Sequence, residues 1–134
     1  ETGSETSEIR LANRTAQRAR SLKDHFGSRI MVTDWKDINA ALVGSKVIVN
    51  TTSLGMNGQP ALEISLDNAD DDTLVSDIVY RTLETSLLTA AKQRGLRTVD
   101  GLGMLLHQAA PGFERWFGIW PEVDAELRSK VLDS

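Results

Sequence analysis

Two arginines one helical turn apart form the first group of residues that could do chemistry. Arg14 and Arg18 follow a short apolar segment, and Asn13 and Thr15 flank the first of them. Two guanidinium groups at this spacing can hold one phosphate from two directions, and the amides at the start of a helix add further donors. The alternative is that both arginines lie on a solvated helix face. Taken in isolation, a single arginine pair favours that alternative.

A run of small polar residues forms the second group. Four consecutive small polar residues, Asn50, Thr51, Thr52 and Ser53, come directly after the apolar residues 47–49. Their hydroxyls and amides are suited to bind a ribose or a pyrophosphate. A helix-capping turn would explain the same run equally well.

Two further groups follow later apolar segments. Ile78 could pack against a flat ring, and Tyr80 could direct its hydroxyl into a cleft, although most tyrosines at strand ends are structural. Gly101 and Gly103 resemble half of a phosphate-binding fingerprint, but the third glycine position is occupied by another residue. This segment therefore favours a close backbone approach to a ligand at Gly101, with Gln108 projecting from the helix that follows.

The hydrophobic periodicity predicts the elements that position these residues. Strands are predicted at residues 9–13, 30–32, 46–50, 74–80 and 96–99. Helices are predicted at residues 15–26, 37–43, 85–94, 104–110 and 124–132, and Pro111 is expected to kink or restart the fourth of these. The third strand reads as a continuous apolar run, which is typical of a strand buried on both faces.

The alternation of strands and helices predicts an α/β class with a mainly parallel sheet. Such sheets bind ligands beyond the carboxyl ends of their strands, which is where the candidate residues lie. An arginine at the end of the second strand of a dinucleotide-binding fold accommodates the 2′-phosphate of NADP, whereas an acidic residue there binds the ribose of NAD. The acidic residue is absent after residues 9–13, and Arg14 and Arg18 could hold such a phosphate there, although this pair alone still favours a solvated helix face.

Composition and net charge argue against several classes of protein. The chain has 134 residues and a mass of 14.7 kDa, which fits one domain, and 40% of its residues are hydrophobic. It has no cysteine and two histidines far apart in sequence, so we expect no disulfide and no metal site. A net charge of −4 argues against a nucleic-acid partner. No apolar run approaches a membrane span and no signal peptide is recognisable, so we expect a cytoplasmic protein.

In their order and spacing, these segments resemble the shikimate dehydrogenase family. The matching segments are Asn13-Arg14-Thr15-x-x-Arg18-Ala19, Asn50-Thr51-Thr52-Ser53-Leu54-Gly55-Met56, Asp77-Ile78-Val79-Tyr80 and Asp100-Gly101-Leu102-Gly103-Met104-Leu105-Leu106-x-Gln108-Ala109, followed by Phe113, Trp116 and Gly118. The similarity runs from about Ile9 to the last predicted helix. One departure is Thr82, which stands where the family usually has proline.

The resemblance implies a Rossmann-like, NADP-binding domain in an enzyme of aromatic amino-acid biosynthesis. That enzyme reversibly reduces 3-dehydroshikimate to shikimate with NADP(H). By resemblance, the adenosine-phosphate clamp comprises Asn13, Arg14, Thr15 and Arg18, and the cofactor cleft is lined by Thr51, Thr52 and Ser53. Ile78 and the backbone of Gly101 are expected to meet the nicotinamide. Tyr80 and Gln108 are expected to contact the substrate.

The same resemblance implies an incomplete domain. Residues 1–8 are expected to be a polar leader, residues 9–110 a partial NADP-binding domain without its first central strand and glycine-rich turn, and residues 111–134 helices that pack back towards an absent substrate domain. The family's catalytic lysine and aspartate belong to that absent domain, so no catalytic residue is assigned to this chain. We expect the chain to be inactive alone, and its partners to be the missing N-terminal portion or a completing chain, and a second copy in a homodimer.

The missing strand sets an expectation for the sheet. The strands at residues 9–13 and 46–50 would lose their shared neighbour and leave unpaired edges. The alternative is that these two strands pair directly in a rearranged sheet.

Other functions stay open at this point. A quinate/shikimate dehydrogenase paralogue would share these segments and could use NAD, although Arg14 and Arg18 argue for NADP. A non-catalytic nucleotide-binding module is the second alternative. A structural α/β domain with solvated arginines is the third.

Overall fold

The computed structural model describes residues 8–133 of the chain. The strands within that range are β1 (Ile9–Ala12), β2 (Ile30–Thr33), β3 (Val47–Asn50), β4 (Leu74–Asp77) and β5 (Arg97–Val99). The α-helices are α1 (Ala16–Phe26), α2 (Ser86–Gln93), α3 (Gly101–Phe117) and α4 (Ala125–Leu132). Strands and helices alternate over most of the chain, which confirms the predicted α/β class.

The first compact unit extends to Ser45 and also includes Ile64–Asp70. In it, β1 and β2 form a parallel two-stranded sheet in which Ile9 lies opposite Ile30. The connecting helix α1 packs against this sheet through the buried Ala19 and ends at Gly27, whose φ of +83° favours glycine. The other apolar residues buried in this unit are Ile30, Leu42, Leu66 and Ala69.

The second compact unit comprises Lys46–Glu63 and the chain from Asp71 onwards. Its sheet has the order β3-β4-β5, with all strands parallel, and Asn50 lies opposite Asp77 where β3 and β4 end. Helix α2 packs against β4 and β5. The buried apolar residues on these elements and their connections include Val75, Leu87, Leu88, Ala91, Leu96 and Leu102.

Strands β1 and β3 belong to two separate sheets and are not paired in the part of the chain that the structure describes. Among residues 8–133 the predicted unpaired edges are therefore present, and the direct pairing of these two strands is absent. The expectation that residues 46–50 would be buried on both faces is wrong, because Val47 is 53% exposed and Val49 is 50% exposed. Both side chains belong to β3, which lies at the edge of a sheet of three strands.

Three predicted elements differ from those observed. Residues 37–43 do not form an α-helix; two 3₁₀ turns, Trp35–Asp37 and Ala40–Leu42, occupy this region, because so short a helix gains too few hydrogen bonds to offset its nucleation. The fourth strand stops at Asp77 rather than at residue 80. The fourth predicted helix begins at Gly101 rather than at residue 104 and continues through Pro111 to Phe117, so of the two expected effects of the proline, a kink or a restart, the restart is absent.

The predicted limits of the leader, the partial NADP-binding domain and the C-terminal helices stay predictions. Seven of the eight residues of the predicted leader lie outside the described residues, and Glu8 is exposed and precedes β1. The boundary expected between residues 110 and 111 falls inside α3. Within residues 8–133, no helix is both long and apolar enough to cross a membrane.

Candidate functional site

A cleft opens where β3 and β4 end, within the second compact unit. Because the two strands are parallel and in register at Asn50 and Asp77, the segments that follow them leave the same edge of the sheet. The cleft has a volume of about 280 Å³. It is lined by Thr51, Thr52, Ser53 and Met56 after β3, and by Ile78, Val79, Tyr80 and Arg81 after β4. The structure thus brings together five residues that were predicted from two separate segments.

The three hydroxyls after β3 differ in what they already bind. The Thr52 hydroxyl donates a hydrogen bond to Asn50 Oδ1 at 2.8 Å and accepts one from the backbone amide of Leu54 at 3.1 Å. Thr51 and Ser53 are exposed, and their hydroxyls make no hydrogen bond with another residue in the range 8–133. Thr51 and Ser53 are therefore the hydroxyl groups available to a ligand.

A buried polar cluster lies beneath these residues. Asp77 is fully buried, and its Oδ1 accepts hydrogen bonds from Asn50 Nδ2 and from the backbone amide of Val79, both at 3.1 Å. Its Oδ2 accepts a hydrogen bond from the Thr85 hydroxyl at 2.8 Å. Thr85 is also the residue that caps α2, where it accepts from the amide of Leu88. The cluster joins the ends of β3 and β4 to the start of α2.

Several of these residues had no role predicted from the sequence. Met56, Val79 and Arg81 line the cleft, and Asp77 and Thr85 form the cluster with Asn50, the first of the four small polar residues 50–53. A signal for the cluster was present, since Asn50 and Asp77 end strands whose preceding residues are mostly apolar. The sequence contained no comparable signal for Arg81, whose place in the cleft depends on where β4 ends.

Gly101 lies at the first position of α3 and is buried against the chain that leaves β4. A β-carbon on Gly101 would lie 2.3 Å from the carbonyl oxygen of Ile78 and 2.7 Å from that of Val79. The predicted close approach at Gly101 is present, and the backbone that it meets is that of the cleft wall. Neither Gly101 nor Gln108 lines the cleft itself, and Gln108 is exposed on α3.

Asp100 caps α3 and ties it to α4. Its Oδ1 accepts a hydrogen bond from the Leu102 amide, and its two oxygens accept from the Arg128 guanidinium at 3.1 and 2.6 Å. Burial alone would raise the pKa of Asp100, but the Arg128 guanidinium and the amides of Leu102 and Gly103 together outweigh it, so this pKa lies below its ordinary value. Asp100 is thus held as an anion at the start of the helix.

The predicted phosphate clamp lies in the first compact unit, at the junction of β1 and α1. Asn13 Oδ1 accepts a hydrogen bond from the Thr15 amide at 2.8 Å, which shapes the turn into the helix. Thr15 is the N-cap residue as predicted, but its side chain makes no capping hydrogen bond. Arg14 and Arg18 are exposed, and neither forms an ion pair within residues 8–133. As far as the described residues go, both guanidinium groups are available to an anion beside the first turn of α1.

The first unit offers two guanidinium groups, which suit an anionic ligand. The cleft of the second unit suits a flat polar ligand. The cleft offers free hydroxyls from one segment and the half-buried Ile78 from the other. Its described lining contains no carboxylate, histidine or lysine that could exchange a proton near neutral pH. The arrangement supports binding and orientation of a ligand.

The chain is similar in sequence to known proteins. Residues 101–125 match the model of the shikimate 5′-dehydrogenase C-terminal domain. The chain is 57% identical, over 92% of its length, to the shikimate dehydrogenase (NADP(+)) of Azorhizobium caulinodans. That match covers 44% of the relative, so the chain spans less than half the length of this curated protein.

Two solved structures share the fold. Quinate dehydrogenase from Corynebacterium glutamicum, in complex with NAD, aligns with a TM-score of 0.83 and 28% identity, over 96% of this chain and 47% of that one. Shikimate 5-dehydrogenase from Thermus thermophilus, in complex with NADP(H) and shikimate, aligns with a TM-score of 0.71 and 31% identity, over 86% of this chain and 42% of that one.

Proposed function

We propose, from the premise that this chain is a homologue of the shikimate dehydrogenases, that it forms the NADP(H)-binding part of an enzyme that interconverts 3-dehydroshikimate and shikimate. The observation that carries the proposal is the cleft at the carboxyl ends of β3 and β4, where parallel sheets bind nucleotides. The 57% identity to a shikimate dehydrogenase that is named for NADP(+) supports the substrate and the cofactor.

The clamp at the start of α1 recognises the adenosine end of the cofactor. Arg14 and Arg18 bind the 2′-phosphate through charge-assisted hydrogen bonds, which are roughly twice as strong as neutral ones. Asn13 and Thr15 shape the turn that presents the helix amides to the same phosphate. NAD lacks this phosphate, so the arginines favour NADP.

The cleft binds the nicotinamide end. Thr51 and Ser53 donate hydrogen bonds to the cofactor, Thr52 holds the turn in shape, and Ile78 packs against one face of the ring. Gly101 supports this wall, since the close contact of its backbone with Ile78 leaves no room for a side chain. Tyr80 and Gln108 contact the substrate from this half of the enzyme.

NADPH supplies the hydride for the reduction. This chain's residues bind and orient the ring that carries the hydride, and Ile78 shields one of its faces from water. The groups that transfer the proton are outside the set assigned to this chain, and we place them in the part of the enzyme that this chain does not span. The chain is accordingly inactive alone.

The remaining partners follow from the same proposal. The enzyme works in the cytoplasm, and a homodimer is its proposed assembly. Residues 111–134 pack towards the substrate domain, which would cover a cluster of exposed apolar side chains. This C-terminal aromatic cluster comprises Trp116, Phe117 and Trp120, which are 58–80% exposed in this chain.

A quinate dehydrogenase that uses NAD is the second candidate, because such an enzyme aligns over 96% of this chain with a TM-score of 0.83. The two candidates differ in both cofactor and substrate. Steady-state oxidation by the full-length protein, with each of shikimate and quinate and each of NADP+ and NAD+, separates them. The proposal predicts that kcat/KM is highest for shikimate with NADP+. A higher value for quinate with NAD+ would overturn it, and no activity with any pair would favour a non-catalytic binding module.

A further inference from the structure

The Asp77 carboxylate dictates the direction of the hydrogen bonds around it. Both side-chain oxygens of Asp77 accept hydrogen bonds: Oδ1 from Asn50 Nδ2 and the Val79 amide, and Oδ2 from the Thr85 hydroxyl. Asn50 therefore turns its Nδ2 towards Asp77, and the same nitrogen donates to the carbonyl oxygen of Leu54 at 3.1 Å. This leaves Asn50 Oδ1 as the acceptor on the opposite side of the amide.

The orientation of Asn50 in turn fixes that of Thr52. Asn50 Oδ1 accepts from the Thr52 amide at 3.0 Å and from the Thr52 hydroxyl at 2.8 Å. The proton of that hydroxyl consequently points into the protein. The adjacent hydroxyls of Thr51 and Ser53 have no such partner within the described range, so the alternation of bound and free hydroxyls follows from the buried carboxylate.

We propose that Asp77 and Asn50 are positioning residues for dinucleotide binding, which together set the hydrogen-bond direction of the turn at residues 51–54. In this arrangement Thr52 closes the turn, and Thr51 and Ser53 are left for the ligand. The inference rests on the proposed function for the identity of that ligand. The inference goes beyond the proposed function because it assigns roles to two residues that do not line the cleft.

The place of the cluster argues that it serves the cleft as well as the fold. Asp77 also accepts from the amide of Val79, which is next to Tyr80, so one carboxylate holds the turns on both sides of the cleft. Both residues are at least 96% buried, and the described structure leaves no buried side-chain polar atom without a hydrogen bond. A substitution of Asn50 or Asp77 should therefore change the turns that line the cleft, because no other group is in place to make the lost hydrogen bonds.

Asn50→Asp in the full-length protein is the direct test. It keeps the size of the side chain but replaces the Nδ2 donor with an oxygen that faces Asp77 and Leu54. We expect the KM for NADP+ to rise about tenfold or more, while kcat at saturating NADP+ stays within about twofold. The matched control is Asn57→Asp, which makes the same change at an exposed residue of the loop after β3 and should leave both constants unchanged.

Hydrogen exchange of the ligand-free protein separates this inference from the proposed function. We expect the Thr52 and Leu54 amides to exchange at least about tenfold faster in Asn50→Asp, and unchanged exchange in Asn57→Asp. Unchanged exchange, or faster exchange with an unchanged KM, would overturn the inference. If the wild-type protein does not bind NADP+, the proposed function fails, and the exchange result alone then decides whether the pair sets the turn.

Thr52→Val is the second variant, for use if Asn50→Asp does not fold. It removes the hydroxyl that the turn uses and leaves the buried Asn50–Asp77 contact in place. We expect the same rise in KM and the same local increase in exchange at Leu54. Wild-type values for both would overturn the inference.

Discussion

Gly101 allows two segments of backbone to approach each other at the wall of the cleft. A methyl group at this position would lie 2.3 Å from the Ile78 carbonyl oxygen, and a backbone carbonyl cannot rotate away as a flexible side chain could. Any larger residue must displace either the start of α3 or the chain that carries Ile78. The shape of the cleft therefore depends on a residue that contributes no side chain to it.

A pair of substitutions on the same helix tests this contact. Gly101→Ala should lower the free energy of unfolding by about 2 kcal/mol or more, because the added methyl group overlaps two carbonyl oxygens. Gly103→Ala has no atom within 4 Å of the new methyl group and should raise that free energy by about 0.5–1 kcal/mol, since alanine is the better helix former. Urea unfolding of both variants measures the difference. Equal effects of the two substitutions would contradict the account.

The candidate residues illustrate what residue types reveal and what they leave open. Thr51, Thr52 and Ser53 were predicted as one set of hydroxyls, and the structure brings all three to the cleft with Ile78 and Tyr80. That Thr52 is already hydrogen-bonded could not be predicted, because its partner Asn50 takes its orientation from Asp77, 27 residues further along the chain. Local sequence carries no record of so distant a contact.

Among the elements, α3 and α4 are linked by the bidentate contact between Asp100 and Arg128. Asp100 also caps α3, so one carboxylate satisfies an amide at the helix start and a guanidinium on the next helix. The Asp100 side chain is 27% exposed and that of Arg128 is 34% exposed, so solvent screens the pair only partly. We expect it to stabilise the protein by about 1 kcal/mol near neutral pH.

The contribution of this pair should depend on pH in a defined direction. The pKa of Asp100 in the folded protein lies below its ordinary value of 3.8, so folding favours the ionised form. The stabilisation is therefore complete well above pH 3.8 and is lost as the pH falls through the folded pKa. Arg128→Met should cost about 1 kcal/mol at pH 7 and much less near pH 2 in urea unfolding.

Lys130→Met is the matched control for this experiment. Lys130 is also on α4, but its ion pair with Glu126 is about 70% exposed on both sides, so its loss should change the free energy of unfolding by less than about 0.5 kcal/mol. The role of Asp100 would be refuted if the cost of Arg128→Met were the same at both pH values.

Most elements were predictable because each has a strong local signal. Periodic apolar residues and Gly27 located α1, and β3 was predicted to within one residue of its observed start. Helix α3 begins three residues earlier than predicted, because Asp100 caps its start through the amide of Leu102. It also continues through Pro111, although an interior proline removes a hydrogen bond and crowds the preceding turn.

For the whole molecule, two features support the proposal that further chain completes the functional protein. Within residues 8–133, strands β1 and β3 each pair with a neighbour on one side only, and apolar side chains of β3 are half-exposed. The C-terminal aromatic cluster adds Trp116, at 80% exposure, and Trp120, at 58%. Burying side chains of this size contributes roughly 1.5–3 kcal/mol each, so leaving them exposed forfeits a large stabilisation.

The C-terminal aromatic cluster leads to a prediction about the stability of the full-length protein. In the full-length protein, Trp116→Ser and Trp120→Ser should each lower the free energy of unfolding by about 2 kcal/mol, because we propose that the substrate domain covers them. Phe26→Ser, at the similarly exposed end of α1, should cost less than about 0.5 kcal/mol. Denaturant unfolding measures the free energy of unfolding of the three variants. Equally small losses in all three would contradict the proposed packing of residues 111–134.

The most direct test of the central claim is the affinity of the full-length protein for NADP+ and for NAD+, measured by calorimetric titration. With Arg14→Ala and Arg18→Ala combined, the Kd for NADP+ should rise by about 100-fold, whereas that for NAD+ should change by less than about threefold. Arg20→Ala, an exposed arginine on the same helix, should leave both affinities unchanged. Equal losses for the two nucleotides, or no loss for NADP+, would contradict the assignment of this chain as an NADP-binding unit.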